Sequence, residues 1–147
     1  MARFSVAGRA TVVGTAARAI ASLFAIASKG FRLREVGVFN TTATAVAVAL
    51  ARFTNATGVG AGLTEAEWDG GVDQLAPSVT GFAGHTADGG VGDALRQASL
   101  GAAIGSGIIW TFGDTGLVVI PGTANGIGIL IPIGTGQLLD YYYDWDE

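Results

Sequence analysis

The chain has 147 residues, of which 50% are hydrophobic, 14% are charged and none is cysteine, and its formal net charge at pH 7 is −4. This length fits one domain with one hydrophobic core, and the lack of cysteine excludes a disulfide framework and a thiolate metal site. Because soluble domains usually carry about 25% charged residues, so few charges predict that part of the apolar surface is buried against other subunits.

The charges are distributed unevenly along the chain. Residues 1–52 carry seven basic side chains and one acid, whereas residues 53–147 carry one basic side chain and eleven acids. The arginines alternate with apolar residues and form no cluster, so we expect no nucleic-acid partner. Two explanations stay open: complementarity with neighbouring subunits or a scaffold, and ion pairs across a sheet within the chain.

The N-terminal third begins with a segment, residues 1–17, that we expect to form an arm. Residues 18–29 fit either a helical stripe or a strand. The turn-like sequence Ser28-Lys29-Gly30 favours a hairpin that joins a strand at 20–27 to a strand at 31–39.

Alternation with a period of two predicts strands over 31–39 and 41–54, with a break at Asn40-Thr41-Thr42. In the first strand the pattern places Arg32 and Arg34 on one face, together with two valines, and puts Leu33, Glu35, Gly37 and Phe39 on the other. In the second strand a valine- and leucine-rich face lies opposite a face of alanines. The alanine face predicts the close approach of another layer.

The segment 55–100 is rich in glycine, alanine and acids and contains no long periodic stretch. It predicts a long loop region, and Thr64 with Glu67 fits a capping box that opens a short helix within it. Loops of this length are usually functional, so we expect contact or specificity residues here. The single histidine, His85, lies in this region and is expected to be solvated.

The strand pattern returns after residue 101. Residues 107–113 and 116–121 flank a short turn and predict a hairpin, and a second turn leads into a strand at 127–133. Short strands separated by glycine-rich turns predict a single all-β domain over residues 1–147, a β-sandwich or jelly roll.

The last ten residues, 138–147, contain four aromatics among four acids. One interpretation is a final strand with Tyr142 on one face and Tyr141 and Tyr143 on the other, followed by a frayed acidic end. The other interpretation is an aromatic anchor for a partner, because aromatics are enriched at interface hot spots.

A membrane span is not expected. The longest uncharged stretch, residues 115–139, is interrupted by two prolines and six glycines, which are turn formers. Arginines at positions 3, 9 and 18 likewise interrupt the first apolar segment, so we expect neither a signal peptide nor a membrane partner.

The sequence contains few candidates for catalytic residues. No zinc, phosphate-loop or calcium-binding motif is present, so we expect no metal and no cofactor. The dense acids Glu65, Glu67, Asp69 and Asp73 could form a carboxylate pair, but nothing singles them out. We therefore expect a protein that is not an enzyme.

The candidate interface consists of the arginines and the aromatics. Its residues are Arg3, Arg9, Arg18, Arg32, Arg34, Trp68, Tyr141, Tyr142, Tyr143 and Trp145. The alternative to an assembly surface is a β-sandwich module that binds carbohydrate or a receptor through Trp68, Trp110 or the terminal aromatics.

Two stretches, LREVGVFNTTATAVAVAL (33–50) and GAAIGSGIIWTFGDTGLVVIPGTANGIGI (101–129), resemble the pattern of tailed-bacteriophage capsid decoration (cement) proteins. The resemblance covers about half of the chain and concerns strands and turns. It implies a subunit on the capsid exterior of a virion that forms a homotrimer and braces neighbouring major capsid proteins. It implies no catalytic residue. The carbohydrate- or receptor-binding alternative would place the module in a phage head or tail.

Overall fold

A computed structural model describes residues 1–68 and 76–147, which form two antiparallel β-sheets. The strands in chain order are β1 (Arg3–Arg9), β2 (Ala21–Phe24), β3 (Phe31–Asn40), β4 (Val46–Phe53), β5 (Ala61–Gly62), β6 (Ala66–Glu67), β7 (Thr80–Ala83), β8 (Val91–Leu100), β9 (Gly107–Thr111), β10 (Leu117–Val119), β11 (Gly126–Leu130) and β12 (Leu139–Asp146).

Sheet 1 has the order β6-β1-β12-β3, and β9 and β10 both pair with the remaining side of β3. Sheet 2 has the order β5-β7-β2-β11-β4-β8. The two sheets share one hydrophobic core, which makes the fold a β-sandwich. The all-β prediction is confirmed, whereas a jelly-roll topology is not confirmed.

The inward-facing residues of β12 show how the core joins the sheets. Leu139, Tyr141, Tyr143 and Trp145 alternate along the strand and are all buried. The Tyr143 hydroxyl crosses the core to sheet 2, where it donates a hydrogen bond to the Ala21 carbonyl oxygen (2.8 Å) and accepts one from the Ile129 N–H (3.1 Å). This side chain therefore satisfies backbone groups of the opposite sheet.

Strand β4 is buried on both faces, as its two apolar faces predict. Val48 and Leu50 face the main core, and Ala49 and Ala51 belong to a second cluster on the outer side of sheet 2. That cluster also contains Ala19, Phe24, Phe53 and Leu130. His85 stacks on the Phe24 ring, so the chain segment that carries it forms part of the extra layer that the alanines admit.

The predicted N-terminal arm is instead strand β1. It pairs with β12 over seven residues, because alternate side chains such as Phe4 and Val6 enter the core. The predicted loop region 55–100 contains the strands β5 to β8. The capping box at Thr64 and Glu67 opens no helix, since residues 66–67 form β6 beside β1.

Both predicted hairpins are wrong in their pairing. Strand β2 pairs with β7 and β11 in sheet 2, whereas β3 lies in sheet 1, so the turn at 28–30 carries the chain from one sheet to the other. Strands β9 and β10 pair in succession with the same side of β3 rather than with each other. Periodicity identifies a strand but carries no information about its neighbour.

The acidic end is held in place rather than frayed. The Glu147 carboxylate accepts hydrogen bonds from the backbone N–H groups of Ser78 (2.9 Å) and Val79 (3.0 Å) and from the Trp145 indole (3.0 Å). It also pairs with the Lys29 ammonium at 3.2 Å. Burial alone would raise the pKa of Glu147, but the hydrogen bonds outweigh burial, and the pKa is lowered.

Candidate functional site

The outer face of sheet 1 carries a band of charged residues and one tyrosine, called here the charged face, where β12 lies between β1 and β3. Its members are Arg3, Arg9, Arg32, Arg34, Glu35, Asp140, Tyr142, Asp144 and Asp146. Among the described residues, five ion pairs each join a basic residue of 1–52 to an acid of 53–147. Ion pairs within the chain therefore account for much of the charge asymmetry of the sequence.

A β-bulge in β3 places Arg34 and Glu35 on the same face. Trp145 pairs with Leu33 and Asp144 pairs with Glu35, so Arg34 is an extra residue in the ladder. A bulge of this kind changes the direction of the side chains that follow it. The predicted alternation is therefore wrong beyond Arg34, and the valines that follow it enter the core with Leu33.

Asp146 holds two arginines at one end of the charged face. Its carboxylate accepts hydrogen bonds from Arg3 Nε at 3.1 Å and from Arg34 Nε at 2.5 Å. The Arg34 guanidinium also donates to the carbonyl oxygens of Gly113 and Asp114. Arg34 is therefore fixed by three hydrogen bonds, to Asp146, Gly113 and Asp114, as the planar donor fork of its guanidinium permits.

Arg9 and Asp140 form a separate pair at the other end of the charged face. The guanidinium donates two hydrogen bonds, of 2.6 and 2.9 Å, to the two carboxylate oxygens. These hydrogen bonds lower the pKa of Asp140. Because both side chains are exposed, the pair contributes little to stability.

Tyr142 lies across β3 at Gly37. A Cβ atom at position 37 would lie 2.0 Å from the Tyr142 ring, so only glycine permits this crossing. The Tyr142 hydroxyl donates to Glu35 Oε1 at 2.5 Å, and the ring stacks on Phe39. Burial and the Glu35 carboxylate both raise the pKa of Tyr142.

Asp144 is a second enclosed carboxylate next to the arginines. The residue is 9% exposed, and burial is the main cause of its raised pKa, with Glu35 adding to the shift. A hydrogen bond with Ser5 acts in the opposite direction. Within residues 1–68 and 76–147, Asp144 Oδ1 has no hydrogen-bond partner. Such an atom costs free energy unless something else binds it.

A cleft of about 360 Å³ opens at this end of the charged face. It is lined by Arg3, Arg34, Glu35, Trp68, Thr111, Gly113, Asp114 and Asp144. Trp68 follows β6 and is anchored by a hydrogen bond from its backbone N–H to the Arg3 carbonyl oxygen (2.8 Å). Its side chain is exposed, and the residue is 56% accessible. The cleft, called here the Trp68 cleft, thus brings together three of the predicted residues.

Three predicted interface aromatics are core residues. Tyr141, Tyr143 and Trp145 face inward, so they are not available to a partner. The first interpretation of the C-terminal segment is confirmed for the strand, with Tyr142 on the opposite face, but it is wrong about a frayed end. Trp110 is also buried, at 8% exposure.

Three predicted arginines, Arg9, Arg18 and Arg32, lie outside the Trp68 cleft. Arg32 is exposed and donates to the Thr115 carbonyl oxygen at 3.1 Å. Arg18 pairs with Asp88 at 3.3 Å, next to the segment that covers sheet 2. The arginines therefore form no single predicted patch.

Sequence reasoning missed an exposed side of the sandwich, called here the open edge, which consists of β8, β9 and β10. Strand β8 contacts β9, and Arg52 of β4 donates to the Val118 carbonyl oxygen of β10 at 3.0 Å. Four large aliphatic side chains on or beside these strands are exposed: Ile104, Ile109, Val118 and Ile120. The aliphatic sequence from 104 to 120 was a signal for this surface, but it equally fits buried strands.

His85 is buried, not solvated, at 3% exposure. Its Nε2 atom lies 2.6 Å from the Ser22 hydroxyl oxygen, and burial lowers the pKa of the ring. Ser22 is itself completely buried, so its hydroxyl is closed to a substrate. Glu65 accepts the Gly81 N–H, and Asp69 and Asp73 lie outside the described residues.

No group of three or more histidine or carboxylate side chains in the described ranges is arranged to hold a metal ion. The same residues include no helix with the length and hydropathy of a membrane span. Compared with models of protein families, with curated proteins and with solved structures, the chain matches none of them.

Proposed function

We propose that the chain is a structural virion protein that forms homotrimers on the capsid exterior and stabilises contacts between major capsid proteins. The observation that carries this proposal is the open edge. The resemblance of residues 33–50 and 101–129 to capsid decoration proteins also supports it, and the second of these stretches contains β9 and β10 of the open edge.

Strand β8 is an unusual edge strand. It is ten residues long, and only Leu100 within it is buried. A long edge strand presents unpaired backbone N–H and C=O groups, and monomeric proteins usually shorten, charge or cover such edges. β8 carries only two charged side chains, Asp93 and Arg96. An edge of this kind is suited to pairing with another chain.

The strands beside β8 add exposed apolar area. Ile109 of β9 is 51% exposed, and Ile120, which follows β10, is 63% exposed. Large exposed aliphatic side chains that lie close together mark interaction surfaces. A standard interface takes about 800 Å² from each partner, which is a modest part of the 6800 Å² surface of this chain.

The charged face is a weaker candidate for assembly. Arg3, Arg9 and Arg34 already pair with carboxylates of β12, so they have little unpaired charge to offer an acidic capsid surface. The proposed contact therefore relies on apolar area and backbone pairing along the open edge. In a closed trimer the interfaces are heterologous, so the open edge of each subunit would be buried against a different surface of its neighbour.

The test is the mass of the protein in solution, measured by size-exclusion chromatography with light scattering. We expect a trimer for the unmodified chain, and monomers for Ile109→Lys and Ile120→Lys, because each introduces a charge into the contact. Val13→Lys is the matched control: Val13 is 49% exposed but lies beside Arg18 and His85. A stable monomer of the unmodified chain, or equal dissociation in all three variants, would contradict the proposal.

A further inference from the structure

We propose that the Trp68 cleft is a binding site for a neutral saccharide. This inference goes beyond the proposed function and does not depend on it, since the cleft lies on the outer side of sheet 1 and shares only Thr111 with the open edge. Three features of the cleft carry the inference: the mixed charge of its lining, the exposed indole of Trp68, and the unpartnered oxygen of Asp144.

The lining mixes donors and acceptors. Two guanidinium groups, three carboxylates and the Thr111 hydroxyl face one cleft. Any ligand with a net charge meets like charges in this lining. A polyhydroxylated neutral ligand does not, because each hydroxyl both donates to a carboxylate and accepts from a guanidinium. This chemistry selects a saccharide over a cationic or an anionic ligand.

Trp68 supplies an apolar surface at the rim of the cleft. It is the only exposed tryptophan of the three in the sequence, since Trp110 and Trp145 are 8% and 0% exposed. An indole combines a large flat apolar body with one polar N–H, which suits the apolar face of a sugar ring. A cleft of about 360 Å³ lies in the size range of small-molecule sites, about 300–1,000 Å³.

Asp144 contributes a buried polar atom that lacks a hydrogen-bond partner within the described part of the chain. The residue is nine-tenths buried and lines the cleft, and its Oδ1 atom has no hydrogen-bond partner among the described residues. A ligand hydroxyl is a donor of the required kind. The Asp144 Oδ1 atom is closed to bulk water, so a ligand can reach it only if a side chain that lines the cleft shifts. Arg3 and Trp68 are the side chains expected to shift, because they are more exposed than Arg34.

The experiment measures binding of neutral saccharides to the intact chain. A glycan array selects the saccharide, and isothermal titration calorimetry then measures its affinity. Because Trp68 is the exposed tryptophan, we also expect the bound sugar to reduce quenching of tryptophan fluorescence by acrylamide. Trp68→Ala and Asp144→Asn should each weaken binding at least tenfold. If Asp144→Asn perturbs the fold, Thr111→Val replaces it as the test: it removes a hydroxyl from the lining at an exposed position and should also weaken binding.

The control is Arg9→Gln, which changes the charged face outside the cleft and should leave the affinity unchanged. Absence of saccharide binding to the unmodified chain would overturn the inference, as would binding that is equal in Trp68→Ala. Tighter binding of ethylguanidinium or inorganic phosphate than of any saccharide would also overturn it. Ile109→Lys should bind the saccharide normally, so a failure of assembly and a failure of the cleft are distinguishable.

Discussion

Tyr143 and Tyr141 form a matched pair for measuring how the two sheets are joined. Both rings face inward from β12 and both are buried. The Tyr143 hydroxyl bonds to the Ala21 carbonyl oxygen and to the Ile129 N–H of sheet 2, whereas the Tyr141 hydroxyl has no partner among the described residues. Replacement of each by phenylalanine removes the same atom from two different environments.

The expected effects differ in size and direction. Tyr143→Phe leaves a buried N–H without its partner and should lower the free energy of unfolding by about 1–3 kcal/mol. In a chain of this size that corresponds to a fall in Tm of roughly 2–12 °C, since each kcal/mol shifts Tm by about 2–4 °C. Tyr141→Phe removes a buried hydroxyl that makes no hydrogen bond, so it should change stability by less than about 0.5 kcal/mol or increase it.

The assay is urea unfolding followed by circular dichroism, with the concentration of protein held constant because the chain is proposed to assemble. The decisive quantity is the difference in unfolding free energy between the two variants, because both remove the same atom and leave cavities of similar size. If Tyr141→Phe destabilises the protein as much as Tyr143→Phe, the account of how β12 connects the sheets is wrong.

Three further predictions concern titratable groups. Burial raises the pKa of all three tyrosines above the ordinary value of 10.0, so the stability that they contribute is fully present below pH 10 and is lost as the pH rises above it. Tyrosinate absorbance should therefore appear only as the protein unfolds. Tyrosines that are half-ionised at pH 10 in the folded protein would refute this prediction. Burial lowers the pKa of His85 below its ordinary value of 6.5, so the free energy of unfolding should rise as the pH increases to about 6.5. Urea denaturation at a series of pH values below 6.5 should show a smaller rise for His85→Gln than for the unmodified chain. Glu147→Gln weakens the charge-assisted hydrogen bonds from Ser78 and Val79 and should lower the free energy of unfolding by about 2–3 kcal/mol at neutral pH. Because the pKa of Glu147 in the folded protein is lowered from 4.5, the difference in stability from the unmodified chain should shrink as the pH falls below 4.5. A difference that does not depend on pH would contradict this role of the Glu147 carboxylate.

The strands that the sequence predicts are those with at least one buried face. Strand β4 has two apolar faces and β12 has alternate aromatics, and both patterns are visible in the sequence. Strand β8 is not recognisable in the sequence because most of its residues are exposed, and Leu95, Ala98 and Leu100, which pack against the core, do not follow a period of two. Strand β1 pairs with β12 across more than a hundred residues of chain, and no local pattern specifies such a partner.

The candidate site is predicted only in its composition. Arg3, Arg34 and Trp68 are recognisable as unusual residues, but their meeting depends on the pairing of β6 with β1 and on the bulge at Arg34. The bulge replaces a regular alternation, so Glu35 moves from the face of Leu33 to that of Arg34. The terminal aromatics were ambiguous because the same residue types fill cores and interfaces, and burial assigns three of the four to the core.

The central claim is that the chain braces a capsid through its open edge, and the thermal stability of capsids tests it most directly. The proposal implies that a phage encodes this chain; capsids of that phage are purified with and without the chain, and their disruption temperature is measured by scanning calorimetry. We expect capsids without the protein to disrupt at lower temperature, and addition of the purified chain, but not of Ile109→Lys, to restore the original value. Equal disruption temperatures with and without the chain would contradict the account.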